Sequence, residues 1–223
     1  MIIAIDGPAG SGKSSVAREV ARRLGYHYLD TGAMYRALAF VALERGIDLG
    51  DENSLADLAS ANPVTFEHVA DEPLPSKVLI GGRDVTQDIR MPRVDDAVSP
   101  VARLKHVRRV MVGQQRELTK DEDIVVEGRD IGTVVFPNAG LKVFLTASPE
   151  ERARRRAEQH AAAGSPVDEA GVHDAILRRD AADSSRAHSP LVAAPDAVCV
   201  DTTGLTFDEA VDRVVALAAA AQP

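Results

Sequence analysis

Lys13 and Ser14 carry the most definite chemistry in the chain. They close the run Gly7-Pro8-Ala9-Gly10-Ser11-Gly12-Lys13-Ser14-Ser15, in which Gly7, Gly12, Lys13 and Ser14 stand at P-loop spacing. Glycines so placed let main-chain N–H groups turn inward around phosphate oxygens. The lysine ammonium reaches the β- and γ-phosphates, and the serine hydroxyl is a ligand for Mg2+. Residues 7–15 are therefore expected to hold a nucleoside triphosphate, with Ser14 on the metal. An apolar run at 2–5 precedes the loop, and Val16, Ala17, Val20, Ala21 and Leu24 follow it at helical spacing. A strand feeding the loop and a helix leaving it is the context this motif needs, because the helix aims its positive dipole end at the same anion.

A bound triphosphate can be hydrolysed, read as a switch, or used as a phosphoryl donor. No Asn-Lys-x-Asp base-reading run of a guanine-nucleotide switch occurs. Three basic segments point instead to a donor and an acceptor that both carry phosphate. In Asp30-Thr31-Gly32-Ala33-Met34-Tyr35-Arg36, Thr31 could cap a helix, and Arg36 could fork onto an acceptor phosphate or face solvent. Glu127-Gly128-Arg129-Asp130-Ile131-Gly132-Thr133 follows an apolar strand at 124–126. Ligands bind at that end of a strand in open α/β sheets, whereas a surface ion pair in a turn would contribute little. The third segment is Arg152-x-x-Arg155-Arg156 with Arg178-Arg179-Asp180-x-x-Asp183-x-x-Arg186. Arg152 and Arg156 share a helix face, as do Arg179, Asp183 and Arg186. Such a run reads either as a solvated face or as a lid that brings guanidinium groups onto the transferring phosphoryl.

The elements that must position these groups alternate. Strand-like runs occur at 2–5, 27–29, 124–126, 142–145 and 197–200, with helical patterns at 13–24, 33–46, 101–118, 149–163, 168–183 and 206–221. Strands separated by helices imply βαβ units and a parallel sheet. In the last helix, Phe207, Ala210, Val211, Val214 and Val215 form one apolar face. The rhythm breaks at 64–90, where extended runs flank a loop at 70–76 and Gly81-Gly82 reads as a tight hairpin turn, indicating a three-stranded antiparallel insert. Ala161 to Pro166 reads as a connector between two Arg-bearing helices.

Composition narrows the class. The 223 residues suit one α/β domain with a small insert. A net charge of −8 argues against nucleic-acid polymers and anionic membranes as partners, while clustered arginines suit a confined polyanion. No apolar stretch approaches the ~20 residues of a membrane helix. The lone cysteine, Cys199, permits no internal disulfide and is expected buried in its apolar run, which suits a cytoplasmic protein.

Together, the P-loop, Asp30 to Arg36, the run Gly-Arg-Asp-Ile-Gly-Thr-Val-Val-Phe-Pro at 128–137 and Arg179-Asp180-x-x-Asp183-x-x-Arg186 resemble the bacterial cytidylate kinase family, from residue 2 to about 218. The resemblance implies transfer of the γ-phosphoryl of ATP to CMP or dCMP, with Mg2+. It implies a three-layer α/β P-loop fold: a central parallel five-stranded sheet, a small antiparallel β insert for CMP and an Arg-rich helical lid. The expected layout is one domain, with a core at 1–62 and 101–223, an insert at 63–100 and a lid at 150–168. Lys13, Arg129, Arg179 and Arg156 would act on the phosphoryl in transfer. Arg36, Arg129 and Arg179 would hold the CMP phosphate, with Thr31 keeping its hydroxyl in the CMP site. Ser99, Arg108 and Asp130 would read the cytosine edge, Asp183 would hold the sugar hydroxyls, and Arg186 would stand beside the base or Asp183. Arg152 and Arg156 would contact ATP from the lid. Glu127 stands where some members have Asp.

Elementary chemistry agrees in kind. Cytosine offers an amine donor beside carbonyl and ring-nitrogen acceptors, which a carboxylate such as Asp130 and an Arg such as Arg108 complement. The rival readings are another small-molecule P-loop kinase and a non-catalytic nucleotide switch. An uncharged acceptor would not need Arg36, Arg129 and Arg179 together. A monomer is expected of a kinase that closes around two substrates.

Overall fold

A computed structural model describes residues 1–69, 72–162, 168–186 and 188–221. The expected connector at 161–166 falls largely outside the described residues, as does part of the expected lid. Two compact units divide the chain: residues 1–24 with 125–223, and residues 25–124.

The strands of the main sheet are β1 (Ile2–Asp6), β2 (His27–Asp30), β6 (Ile124–Gly128), β7 (Leu141–Thr146) and β8 (Val198–Asp201), in the order β2-β6-β1-β7-β8. β1 pairs parallel with β7, Ile3 opposite Leu141 and Asp6 opposite Phe144. β7 pairs parallel with β8, Val143 opposite Val198. Central strands of a parallel sheet are covered on both faces, and β6 is accordingly buried at all five residues. In the first unit, α1 (Lys13–Leu24) buries Val16, Ala17, Val20 and Ala21 and packs against α8 (Phe207–Ala221). α8 buries Ala210, Val211, Val214 and Ala218.

Two expectations fail at this edge of the sheet. Cys199 is exposed, because β8 is the outermost strand of the sheet and buries only Val200 of its four residues. Phe207 opens α8 and is 49% exposed, since the buried stripe begins only at Ala210.

The second unit holds three further strands, β3 (Val64–His68), β4 (Pro75–Ile80) and β5 (Arg83–Asp84), joined antiparallel in that order. Ile80 pairs with Arg83 across Gly81-Gly82, whose φ values of 56° and 81° make the two-residue turn that glycine permits. α2 (Thr31–Glu44) buries ten residues and packs against both α4 (Pro92–Ala102) and β4. Its cap is Asp30, which accepts the Ala33 N–H at 2.9 Å, so Thr31 is the first helical residue rather than the cap.

α3 (Glu52–Ala61) was not expected from the sequence. Asp51 caps it through Ser54, and Leu55, Leu58 and Ala59 are its buried face. The helix expected at 101–118 is instead the end of α4 and all of α5 (Lys105–Leu118). Leu104 takes extended geometry between them, φ −75° and ψ 126°, which no continuous helix allows. Pro92 at the first position of α4 supplies its start signal.

Candidate active site

The first unit assembles most of the charged groups. Asp6 ends β1, and Gly7 follows at φ 152°; a Cβ there would lie 2.0 Å from the Leu145 carbonyl oxygen of β7. Gly10 and Gly12 take φ of 77° and 86°, left-handed conformations that let the chain wrap into the start of α1. Lys13 then points back over the loop, its Nζ donating to the Pro8 carbonyl at 2.9 Å. Burial first, and then the positive charges of Arg129 and Arg179, push the Lys13 ammonium down from its ordinary 10.5 to about 7, against Glu127 and Asp6, which raise it. Ser14 Oγ donates to Glu127 Oε2 at 2.9 Å, which joins the end of the loop to the end of β6.

Asp6 is itself buried and accepts the backbone N–H groups of Ile131 and Gly132 at 2.8 and 2.7 Å. Burial pushes its carboxyl up to about 6 despite those two bonds. The segment it holds, Ile131–Val135, is a π-helical turn led by the buried Asp130. Gly132 permits this approach, since a Cβ there would sit 3.1 Å from Lys142 Cδ.

Two helices of the same unit carry the arginine runs: α6 (Pro149–Ala162) and α7 (Glu169–Ser184), which pack together. Arg152 is buried. Its Nε donates to Ala147 O at 3.0 Å, its Nη1 to Ala9 O of the loop at 3.1 Å, and its Nη2 pairs with Asp180 at 2.6 Å. Arg155, for which the sequence predicts no role, donates to Thr202 Oγ1 and Thr202 O at 3.0 and 2.8 Å and to Ser11 O of the loop at 3.5 Å. Arg156 and Arg179 are half-buried. Asp183, 1% exposed, accepts from Arg129 Nε at 3.2 Å and from Arg186. Arg129, Asp183 and Arg186 are thus brought together, as are the phosphate loop and Arg152. No sequence rule foresees Arg155, Asp180 or Thr202, because their partners lie on distant segments.

In the second unit, Arg36 leaves α2 and donates through Nε and Nη2 to Asp95 Oδ1 of α4, at 3.1 and 2.9 Å. Arg108 on α5 is buried. Its Nη1 donates to Ala102 O at 3.1 Å, and its guanidinium carbon lies 5.7 Å from the Tyr35 ring centroid. Thr31 is buried at the start of α2, and Ser99 is half-buried on α4. An open depression is lined by Ser76, Lys77, Asp84, Thr86, Gln87 and Asp88, on the antiparallel sheet and the turn after it. Among the described residues no three His, Cys, Asp or Glu gather as a metal site, and no helix is long and apolar enough to cross a membrane.

Strand, glycine loop, buried lysine and a parallel sheet define a P-loop kinase fold. Solved structures agree at the level of fold. Shikimate kinase from Bacteroides thetaiotaomicron superposes with a TM-score of 0.50 at 15% identity, over 98% of each chain. An uncharacterized protein from Eubacterium ventriosum does so with a TM-score of 0.53 at 13% identity, over 97% of this chain and 96% of that one. The sequence pattern of the cytidylate kinase family matches residues 3–220, and the chain belongs to that family. It is 49% identical to the cytidylate kinase of Pelotomaculum thermopropionicum, over 96% of this chain and 94% of that protein. Against the bifunctional pantoate ligase/cytidylate kinase of a Synechococcus strain it is 50% identical, over 97% of this chain and 40% of that longer protein.

Proposed function

We propose that the chain transfers the γ-phosphoryl of ATP to CMP and dCMP, releasing ADP with CDP or dCDP. Besides membership of the family, one observation carries the reading. A buried lysine on a glycine loop feels Arg129, Arg179 and Glu127 at once, so one spot gathers the charges that phosphoryl transfer requires. The main-chain amides of 7–15 cradle the donor phosphates, and Lys13 bonds the β- and γ-oxygens. Arg152 and Arg156 contact the donor from α6. Arg36, Arg129 and Arg179 neutralise the acceptor phosphate, which is already anionic at neutral pH and needs no strong base. Lys13, Arg129, Arg179 and Arg156 carry the charge that develops as the bond to ADP breaks.

Recognition of the acceptor rests on buried polar groups. Asp130 accepts from the cytosine amine. Arg108, already held by Ala102 O, donates to the ring acceptors, and Ser99 also reads the cytosine edge. Thr31 adds a hydroxyl to the acceptor site. Asp183 binds the sugar hydroxyls and is steadied by Arg186.

The donor set suits Mg2+. Ser14 Oγ and the Glu127 carboxylate lie 2.9 Å apart at the loop, an all-oxygen pair of the kind that holds this ion together with phosphate oxygens. Ser14 would ligate it, with Glu127 on the ion or on its water, and the ion would supply charge neutralisation to the β- and γ-phosphates. The insert at 63–100 serves the acceptor and the segment at 150–168 serves as lid. The protein works in the cytoplasm as a monomer, which sedimentation of the purified chain checks.

A coupled assay for ADP release, with and without CMP, tests the proposal. ADP release that depends on CMP or dCMP supports it. Release that ignores them, or that needs a different acceptor, overturns it.

A further inference from the structure

Arg36 does not present a bare guanidinium. Both donors on its Nε–Nη2 edge point at a single oxygen, Asp95 Oδ1, at 3.1 and 2.9 Å. That edge is the one a phosphate would take as a fork, because two parallel N–H bonds match two phosphate oxygens. The pairing also belongs to the frame of the second unit: Arg36 rides on α2, Asp95 sits in the first turn of α4, and the two helices pack together. Both side chains are about 28% exposed, so incoming solute can reach the pair.

From this geometry we propose that Asp95 is a positioning residue that competes with the acceptor's phosphate for Arg36. Its carboxylate holds the guanidinium at the height and rotamer that phosphate needs, and is displaced when a phosphomonoester dianion arrives. The pair thereby raises the apparent KM for phosphorylated acceptors without entering the transfer step. The inference rests on the reading that Arg36 holds the acceptor phosphate.

Two ligands separate the effects: CMP, and cytidine, which has the same base and sugar without phosphate. Calorimetric titration of Asp95→Asn should give CMP binding tighter by about three- to fivefold, the upper end of the scale of one partly exposed ion pair. Cytidine binding should stay as in the parent, and the gain should appear in the KM for CMP rather than in kcat. Asp96→Asn removes the same charge one residue away, from a solvent-facing position. It should change CMP affinity less than twofold. CMP affinity that is unchanged or weaker in Asp95→Asn overturns the proposal, as does an equal gain for cytidine or an equal gain in Asp96→Asn. Asp95→Ser gives the same comparison should the amide variant fold poorly. Arg36→Gln separates the two levels of inference. If it leaves CMP affinity intact, the phosphate assignment itself is wrong. If it weakens CMP while Asp95→Asn gains nothing, only the competition is wrong.

Discussion

Lys13 shows how a site residue is paid for by the fold. Its ammonium is buried beside two arginines, and the carboxylates of Glu127 and Asp6 raise its pKa by less than burial and the arginines lower it. In the proposed site a triphosphate supplies the missing negative charge, which makes the position poor for a lysine alone and good for a lysine with ATP. Lys13→Met should cut kcat at least about a hundredfold, the scale of losing one preorganised charge at a developing anion. Steady-state kinetics at saturating ATP and CMP check this, and near-normal kcat would contradict the role. In the proposed acceptor site, Asp130 makes the complementary case for specificity. UMP offers a carbonyl where CMP offers an amine, and a buried carboxylate faces it unfavourably. In Asp130→Ala the CMP/UMP ratio of kcat/KM should collapse at least about tenfold, mostly through loss of CMP activity; an unchanged ratio sinks the cytosine assignment.

At the scale of elements, the phosphate loop is held by its neighbours as well as by the Lys13–Pro8 bond. β1 and β7 run so close beside Gly7 that any side chain there meets the Leu145 carbonyl at 2.0 Å. Gly7→Ala should therefore cost roughly 3 kcal/mol or more, through strain and forced separation of two central strands. Denaturant unfolding would register this even if some ATP binding survives. The arginines of α6 act on the same loop from outside. Arg152 reaches Ala9 O and Arg155 reaches Ser11 O, so α6 braces the loop through main-chain acceptors that no base or phosphate has to supply. Asp6 performs the matching task for the π-helical turn at 131–135.

For the whole molecule, Asp6 and Lys13 give stability a readable pH dependence. The Asp6 carboxyl sits at about 6 rather than 3.8, so the folded state binds the extra proton between those values. Its contribution falls as pH rises through that window, by about 3 kcal/mol at most, and the cost is complete above pH 6. Lys13 runs the other way. Between about 7 and 10.5 the unfolded chain holds a proton that the folded one has released, so stability rises with pH across that range. Thermal unfolding should show both limbs, with the least favourable contribution from these two groups near pH 6–7. Lys13→Met should flatten the alkaline limb and raise Tm most below pH 7, while Asp6→Asn flattens the acid one. Binding of a non-hydrolysable ATP analogue at pH 8 should take up protons, visible as a buffer-dependent calorimetric enthalpy. Absence of both limbs would mean that the two groups are solvated.

Short-range physics made much of this legible. The spacing Gly7-x-x-x-x-Gly12-Lys13-Ser14, the strand before it and the apolar stripe after it need only local geometry, and α1 falls where the pattern places it. Gly81-Gly82 likewise sets its own turn. What the chain's local pattern does not determine is what meets what. Cys199 looks buried in an apolar run and is exposed because β8 lies at the edge, a fact of strand order. Arg36 looks like a lone helix charge until α4 brings Asp95 59 residues away in sequence to its edge. The break at Leu104 and the bracing by Arg155 belong to the same class. Propensity and periodicity reach a few residues along the backbone, whereas burial, ion pairing and pKa depend on neighbours that only chain closure supplies.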